Sequence, residues 1–177
     1  RDGWSHRDAL RLSHAKADTN TKNLLLRYAV KGELMQDDSH AHAFVAAAEE
    51  ATHSDDLNRV LELVKTYELP REVVNTKFQN TPELWEALAP NMGLTALLRN
   101  LRNMAGSGYL TQGSDAVRVV RDRLANVDDL KSARIHPFNV FLAQRMATNV
   151  PSPIDRALQD AFFASFANVE PTNKRIQ

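Results

Sequence analysis

Apolar residues recur three and four positions apart through most of this chain, and no stretch alternates steadily between apolar and polar residues. The spacing is clearest in one leucine-rich segment, at Leu94, Leu97, Leu98 and Leu101. A helix turns about 100° per residue, so these leucines share one face, whereas a half-buried strand needs a period of two. The spacing therefore predicts an all-α protein with very few strands.

Helix boundary signals divide the chain into short segments. Ser5 and Asp8 form the Ser-x-x-Asp pattern of a capping box, and Gly32 follows an apolar run as a C-cap would. Four prolines are expected at or near first helical positions: Pro70, Pro82, Pro137 and Pro153. Three further residues are expected to be N-caps: Thr81, Ser114 and Ser152. These signals predict about nine or ten helices of about 8 to 15 residues, joined by short loops as in a bundle or an α-solenoid of antiparallel pairs.

The residue types that carry most enzymatic and metal chemistry are missing or wrongly spaced. The 177 residues include no cysteine, which excludes thiolate catalysis and sulfur-ligated zinc and fits a reducing, cytoplasmic location. His40 and His42 would lie on opposite sides of a helix, and Ser107 lacks the strand–turn–helix context of a nucleophile elbow. No apolar run approaches the ~20 residues of a membrane span. We therefore expect no enzyme, no metal or cofactor in this segment, and no membrane contact.

Charge is distributed unevenly, although the formal net charge is zero. Residues 1–31 contain seven Lys or Arg and three Asp or Glu. Residues 32–70 contain two basic and nine acidic residues, and residues 71–177 contain thirteen basic and ten acidic residues. Such a distribution is compatible with a polyanion that both ends of the chain bind and the middle avoids.

One cationic stripe lies on the first predicted helix. Arg7, Arg11 and His14 are four and three positions apart, so they share a face that carries no acid. A solvated face and an anion-binding face both explain this arrangement, and the spacing alone does not separate them.

A second stripe lies opposite the leucines. Arg99 and Arg102 share that side with Thr95 and Asn103, and residues 87–114 contain no acid. Forked guanidinium donors and amides suit phosphate oxygens. The alternative is that Arg99 pairs with an acid from another helix.

The stretch "ARIHPF" at 133–138 offers a third candidate site. Pro137 is expected to begin a helix, whose unpaired N–H groups would lie beside Arg134 and His136 and could hold an anion. Alternatively, His136 caps that helix. Most aromatic residues are expected on apolar faces, so no platform for stacking bases is predicted: Trp4, Trp85, Phe138, Phe162, Phe163 and Phe166.

Four stretches, in this order, resemble the TROVE module of the Ro ribonucleoprotein family: "DGWSHRDALRLSHAK" (2–16), "LTALLRNLRNM" (94–104), "ARIHPFNVFLA" (133–143) and "VEPTNKR" (169–175). The resemblance covers residues 2 to about 175 and is weakest over 31–80. It implies an all-α ring of HEAT-like antiparallel helix pairs. Residues 1–177 would form a single all-α unit, the C-terminal part of that ring. In this family a von Willebrand factor A domain follows the last stretch, and it would lie outside this segment. A divalent metal is implied for that domain alone.

The resemblance also implies a function. Proteins of this family bind noncoding RNA: stem–loop Y RNAs on the outer basic surface and the single-stranded 3′ ends of misfolded RNAs in the central hole. His14 matches a position linked to RNA binding, within a motif that also contains Arg7, Arg11 and Lys16. The predicted protein is thus an RNA-binding segment in RNA quality control, with an exoribonuclease as a partner through the RNA. The alternative is a helical-repeat scaffold for protein partners, marked by the acidic middle segment. The full set of predicted RNA-binding residues is Arg7, Arg11, His14, Lys16, Arg99, Arg102, Arg134 and His136.

Overall fold

The computed structural model describes residues 3, 5–34, 36 and 39–169. Helices account for 69% of these described residues, and none of them lies in a strand. The prediction of an all-α protein is therefore confirmed. The helices group into two compact units, residues 1–75 and 76–177, which are described separately. A single unit over 1–177 remains a prediction.

The first unit contains four α-helices: α1 (His6–Ser13), α2 (Asn20–Lys31), α3 (His40–His53) and α4 (Leu57–Tyr67). A 3₁₀ turn, Arg71–Val73, follows them. α1 packs against α2 and α3 packs against α4. The core is formed mainly by α3 and α4, through Val45, Ala51, Val60 and Val64. α1 contributes no buried residue, so its cationic side chains are carried by a helix that lies on the surface.

The second unit contains six α-helices: α5 (Pro82–Leu88), α6 (Leu94–Gly106), α7 (Asp115–Ala125), α8 (Val127–Ser132), α9 (Pro137–Met146) and α10 (Ser152–Ala164). α10 packs against α7 and α9, and α6 packs against α9. The leucine face of α6 is buried as predicted, because Leu94, Leu97, Leu98 and Leu101 are all inaccessible. α5 and α8 have seven and six residues and are shorter than the predicted range. Of the described helices, none is long and apolar enough to cross a bilayer.

The helix boundaries follow the predicted caps at several positions. Ser5 and Asp8 form the reciprocal capping box, and Gly32 ends α2 in the left-handed region at φ 74°. The Ser114 hydroxyl accepts the Val117 N–H, while Thr81 precedes α5 without a side-chain cap.

The prediction is wrong at the start of α10. Ser152 is its first helical residue rather than its N-cap, because a proline is tolerated anywhere in the first turn and Pro153 occupies the second position. Pro70 directly precedes the 3₁₀ turn Arg71–Val73, so it lies next to a first helical position, within the predicted range.

One arginine of the second unit has a structural role. The Arg123 Nη1 atom on α7 donates to the carbonyls of Ala89, Pro90 and Met92, and the distance to the Ala89 oxygen is 2.9 Å. These carbonyls follow the end of α5, where backbone acceptors lack helical partners. A half-buried guanidinium thus ties α7 to the loop between α5 and α6, and Arg123 is unsuited to bind a ligand.

Replacing Arg123 with Ala is expected to lower the free energy of unfolding by about 1.5–3 kcal/mol, since hydrogen bonds to a charged group are lost from a partly buried site. Urea denaturation followed by circular dichroism measures the change. Arg121→Ala is the matched control, because Arg121 on the same helix pairs with exposed Asp122 and its removal should change stability by less than about 0.5 kcal/mol. Equal effects of the two substitutions would contradict the role given to Arg123.

Candidate nucleic-acid interface

The side chains of Arg7 and Arg11 are exposed on α1. Among the described residues, neither lies within ion-pair distance of a carboxylate. The acid between them, Asp8, is held by Ser5, whose N–H and hydroxyl donate to its carboxylate at 2.9 and 2.6 Å. These hydrogen bonds, helped by the charges of Arg11 and Arg7, lower the pKa of Asp8. The carboxylate therefore fixes the start of α1 and leaves both guanidinium groups open to solvent.

His14 does not continue the stripe. α1 ends at Ser13, and His14 is its C-cap in the left-handed region at φ 48°. The predicted spacing is therefore correct for Arg7 and Arg11 and wrong for His14, which leaves the helix before the stripe would reach it. The imidazole is exposed just after the end of the helix, three residues after Arg11 in the sequence.

Lys16 lies in the connection between α1 and α2. It lines an open hollow with Asp18, Thr19, Asn20 and Asn23 at the start of α2. The Asp18 carboxylate pairs with Lys22 at 2.7 Å. The hollow thus places the Lys16 ammonium beside hydroxyl and amide groups and beside one carboxylate, so its lining does not by itself select an anion.

Several described acids of the 32–70 segment have local partners. Glu50 accepts from the Arg59 guanidinium at 2.7 Å, and Glu62 accepts from the same group at 2.9 Å. The Tyr28 hydroxyl donates a hydrogen bond to the Glu49 carboxylate, and this hydrogen bond raises the pKa of Tyr28 to about 12. Asp37 and Asp38 lie outside the described residues.

Arg99 and Arg102 are exposed on α6, opposite the buried leucines. No described carboxylate lies within ion-pair distance of either guanidinium, so the alternative in which Arg99 pairs with an acid from another helix finds no partner there. The rotation of α6 predicted from the sequence is confirmed by the burial of its leucines.

His136 adopts the capping alternative. Its Nδ1 atom accepts the Phe138 N–H at 3.1 Å, and Pro137 is the first residue of α9 as predicted. Arg134 is exposed in the left-handed region at φ 48°. The cap uses one of the backbone donors that an anion would otherwise find at this helix start. Anion binding by Arg134 and His136 stays a prediction.

The sequence interpretation missed the exposed face of α9. Phe138 and Phe141 are 57% and 44% exposed, and their ring centroids lie 6.4 Å apart in a stacked arrangement. On α10 and after it, Phe163 and Phe166 are also exposed. These rings are thus exposed, which the sequence did not indicate, whereas Trp85 is fully buried. Trp4 lies outside the described residues.

A groove runs between α6 and α9 on the surface of this pair. It has a volume of about 310 Å³ and is lined by Thr95, Leu98, Arg99, Asn139, Leu142, Ala143 and Met146. Its lining combines apolar side chains with the polar side chains of Thr95, Arg99 and Asn139. In the part of the chain that the structure describes, no cluster of three His, Asp or Glu residues is placed to hold a metal ion.

Comparison with known proteins assigns the chain to a family. Residues 68–154 match the model of the TROVE domain. Over 188 residues the chain is 36% identical to the protein named RNA-binding protein RO60 of Deinococcus radiodurans, an alignment that covers 99% of this chain and 35% of that protein. The chain belongs to the TROVE family.

A solved structure and a second relative agree with this assignment. The crystal structure of the Deinococcus radiodurans RO (RSR) protein matches this TROVE chain with a TM-score of 0.83 at 36% identity, covering 99% of this chain and 38% of that one. RNA-binding protein RO60 of Caenorhabditis elegans is 28% identical over 231 residues, covering 99% of this chain and 36% of its own. This TROVE chain thus spans about a third of the length of these relatives. Both are named for RNA binding and neither for a catalysed reaction.

Proposed function

We propose that this TROVE chain binds noncoding RNA, with small stem–loop Y RNAs and misfolded RNAs as its ligands in RNA quality control. The observation that carries the proposal is the set of exposed arginines on α1 and α6 that no described carboxylate neutralises. The RNA-binding names of relatives that align over 99% of this chain support the choice of polyanion.

Binding is mainly electrostatic in this proposal. Arg7, Arg11, His14 and Lys16 contact phosphates of a structured RNA, because an A-form helix is recognised through its backbone and shape. Arg99, Arg102, Arg134 and His136 provide further contacts. Each phosphate neutralised by a cation releases condensed counterions, which gives affinity that falls with salt. The cytoplasm is the proposed location, and an exoribonuclease would meet the protein through the bound RNA.

Fluorescence anisotropy with a labelled RNA hairpin that carries an unpaired 3′ tail tests the proposal. The logarithm of the binding constant is expected to fall linearly with the logarithm of salt concentration, by about 0.7–0.9 per phosphate contact. Removing divalent ions with EDTA should leave binding of an unstructured RNA unchanged, since no cofactor is proposed in this segment. A duplex DNA of equal length should bind more weakly, because it lacks the A-form backbone and the 2′-hydroxyls.

Two outcomes would count against RNA binding. An affinity that does not respond to salt would contradict the electrostatic contacts. The absence of RNA binding together with tight binding to a protein partner would favour the alternative function, a helical-repeat interaction scaffold.

A further inference from the structure

The junction between α8 and α9 has a backbone conformation that is uncommon for the residue it contains. Arg134 lies in the left-handed region at φ 48°, which favours glycine because it crowds any side chain. The Arg134 N–H donates to the Lys131 carbonyl and the Ile135 N–H donates to the Leu130 carbonyl, each at 3.0 Å. These two hydrogen bonds form the Schellman motif that ends many helices, with an arginine at the position where glycine is usual.

One side chain from much later in the chain binds this junction. Asn168 is the last residue of the 3₁₀ turn Ser165–Asn168, which follows α10 and packs against α8. Its Nδ2 atom donates to the Leu130 carbonyl and to the Ile135 carbonyl, both at 3.0 Å. An amide nitrogen carries two hydrogens, so both donors of Asn168 are used, and the two acceptors lie on either side of Arg134 in the chain.

These hydrogen bonds lie at the edge of the core of the second unit. The Leu130 and Ile135 side chains are buried, and Asn168 is half-buried. Backbone carbonyls in such a position need a protein donor, because water reaches them poorly. Loss of the Asn168 amide would remove a donor from both carbonyls, and the left-handed backbone of Arg134 would lose its support on each side.

The side chain of Arg134 depends on this backbone for its direction. Arg134 is exposed, and no described carboxylate lies within ion-pair distance of its guanidinium. On the other side of Ile135, His136 fixes the start of α9 by accepting the Phe138 N–H at 3.1 Å. Because no ion pair holds the guanidinium, the left-handed conformation at Arg134 decides where its side chain leaves the surface.

We propose that Asn168 is a positioning residue for the phosphate contact of Arg134. By binding a carbonyl on each side of Arg134, Asn168 holds the left-handed backbone that directs the guanidinium towards the RNA. The inference rests on the proposed function and deepens it, because it names a half-buried residue that contacts no RNA and still sets the RNA affinity.

Amide hydrogen exchange tests the backbone part of the inference without RNA. Asn168→Leu keeps the approximate size of the side chain, adds no charge and removes both donors. The protection of the Arg134 and Ile135 amides is expected to fall at least about 10-fold relative to amides in the middle of α6, because their hydrogen bonds open more often. Circular dichroism checks that the variant keeps its helices, and Asn168→Ala replaces it if the leucine variant does not fold.

Titrations with the RNA hairpin over a range of salt concentrations test the positioning part. The salt slope of Asn168→Leu is expected to be smaller than that of the unchanged protein by about 0.7–0.9, the value of one lost phosphate contact. In an Arg134→Gln background the same substitution should leave the slope unchanged, because the contact that Asn168 positions is already absent. A purely structural role would lower the fraction of active protein and leave the slope unchanged in both backgrounds.

Ser165→Ala is the matched control in the same 3₁₀ turn. The Ser165 hydroxyl donates to the Phe162 carbonyl at 2.7 Å, so this substitution also removes a hydrogen bond from a side chain to the backbone, but one that does not reach Arg134. The relative protection of the Arg134 and Ile135 amides and the salt slope should both stay as in the unchanged protein.

The inference and the proposed function can fail separately. If the Arg134 and Ile135 amides keep their protection in Asn168→Leu, or if the hairpin binds this variant with an unchanged salt slope, the inference is wrong and RNA binding stands. An equal loss of slope in Ser165→Ala would also overturn the inference, because the effect would not be specific to the Asn168 amide. If the unchanged protein binds no hairpin, the proposed function is wrong and the inference is overturned with it.

Discussion

Replacing Leu101 with Ala is expected to lower the free energy of unfolding by about 2–5 kcal/mol. Leu101 is fully buried on the inner face of α6, where Leu97 and Met104 are also inaccessible. Truncation removes buried methyl groups and leaves a cavity that the close-packed neighbours fill only in part. Urea denaturation followed by circular dichroism measures the loss as a lower midpoint with an unchanged slope.

Arg102→Ala is the matched control for this substitution. Arg102 follows Leu101 directly, is exposed, and has no ion pair among the described residues. Its removal should change stability by less than about 0.5 kcal/mol. If Arg102→Ala were the more damaging of the two, α6 would be rotated relative to the face described above, and Arg99 would not line the groove with α9.

The sequence was sufficient where local chemistry decides the structure. The capping box of Ser5 and Asp8 needs only four residues in sequence, and it forms as the pattern predicts. The leucine stripe of α6 has a charged opposite face, so only one rotation can bury it, and that rotation is observed. Gly32 likewise ends α2 because a left-handed residue costs glycine little.

The sequence was insufficient where packing between helices decides. Apolar residues occupy every side of α9, so no period shows which side is buried. α6 and α10 both pack against α9, whose Val140 and Ala143 are buried while Phe138 and Phe141 are exposed. The end of α1 could not be read from the sequence, since no glycine or proline follows the helix. His14 itself adopts the left-handed conformation that ends it. The absence of acids from residues 130–154 was a usable sign of this part of the candidate site, and it is visible in the sequence alone.

The other large effect is expected in RNA binding when Arg7 and Arg11 are both replaced with Ala. If each guanidinium contacts one phosphate, the salt slope should fall by about 0.7–0.9 for each arginine removed, and the affinity loss should be largest at low salt. α1 buries no residue and is held by its capping box, so the fold should survive both substitutions. Hairpin titrations over a range of salt concentrations measure the slope. The charge-matched control is the double variant Arg118→Ala/Arg121→Ala. It removes two exposed arginines that already pair with Asp115 and Asp122.

His14 adds a further part to the same prediction. His14→Ser should weaken hairpin binding without changing the fold, because the imidazole is exposed just after the end of α1. His53→Ser is the control, since that exposed imidazole already contacts the Glu49 carbonyl through Nδ1 at 2.8 Å and lies in the acidic segment. A salt slope and a hairpin affinity that stay the same in these variants would mean that Arg7, Arg11 and His14 form a solvated surface and that the RNA contacts lie elsewhere.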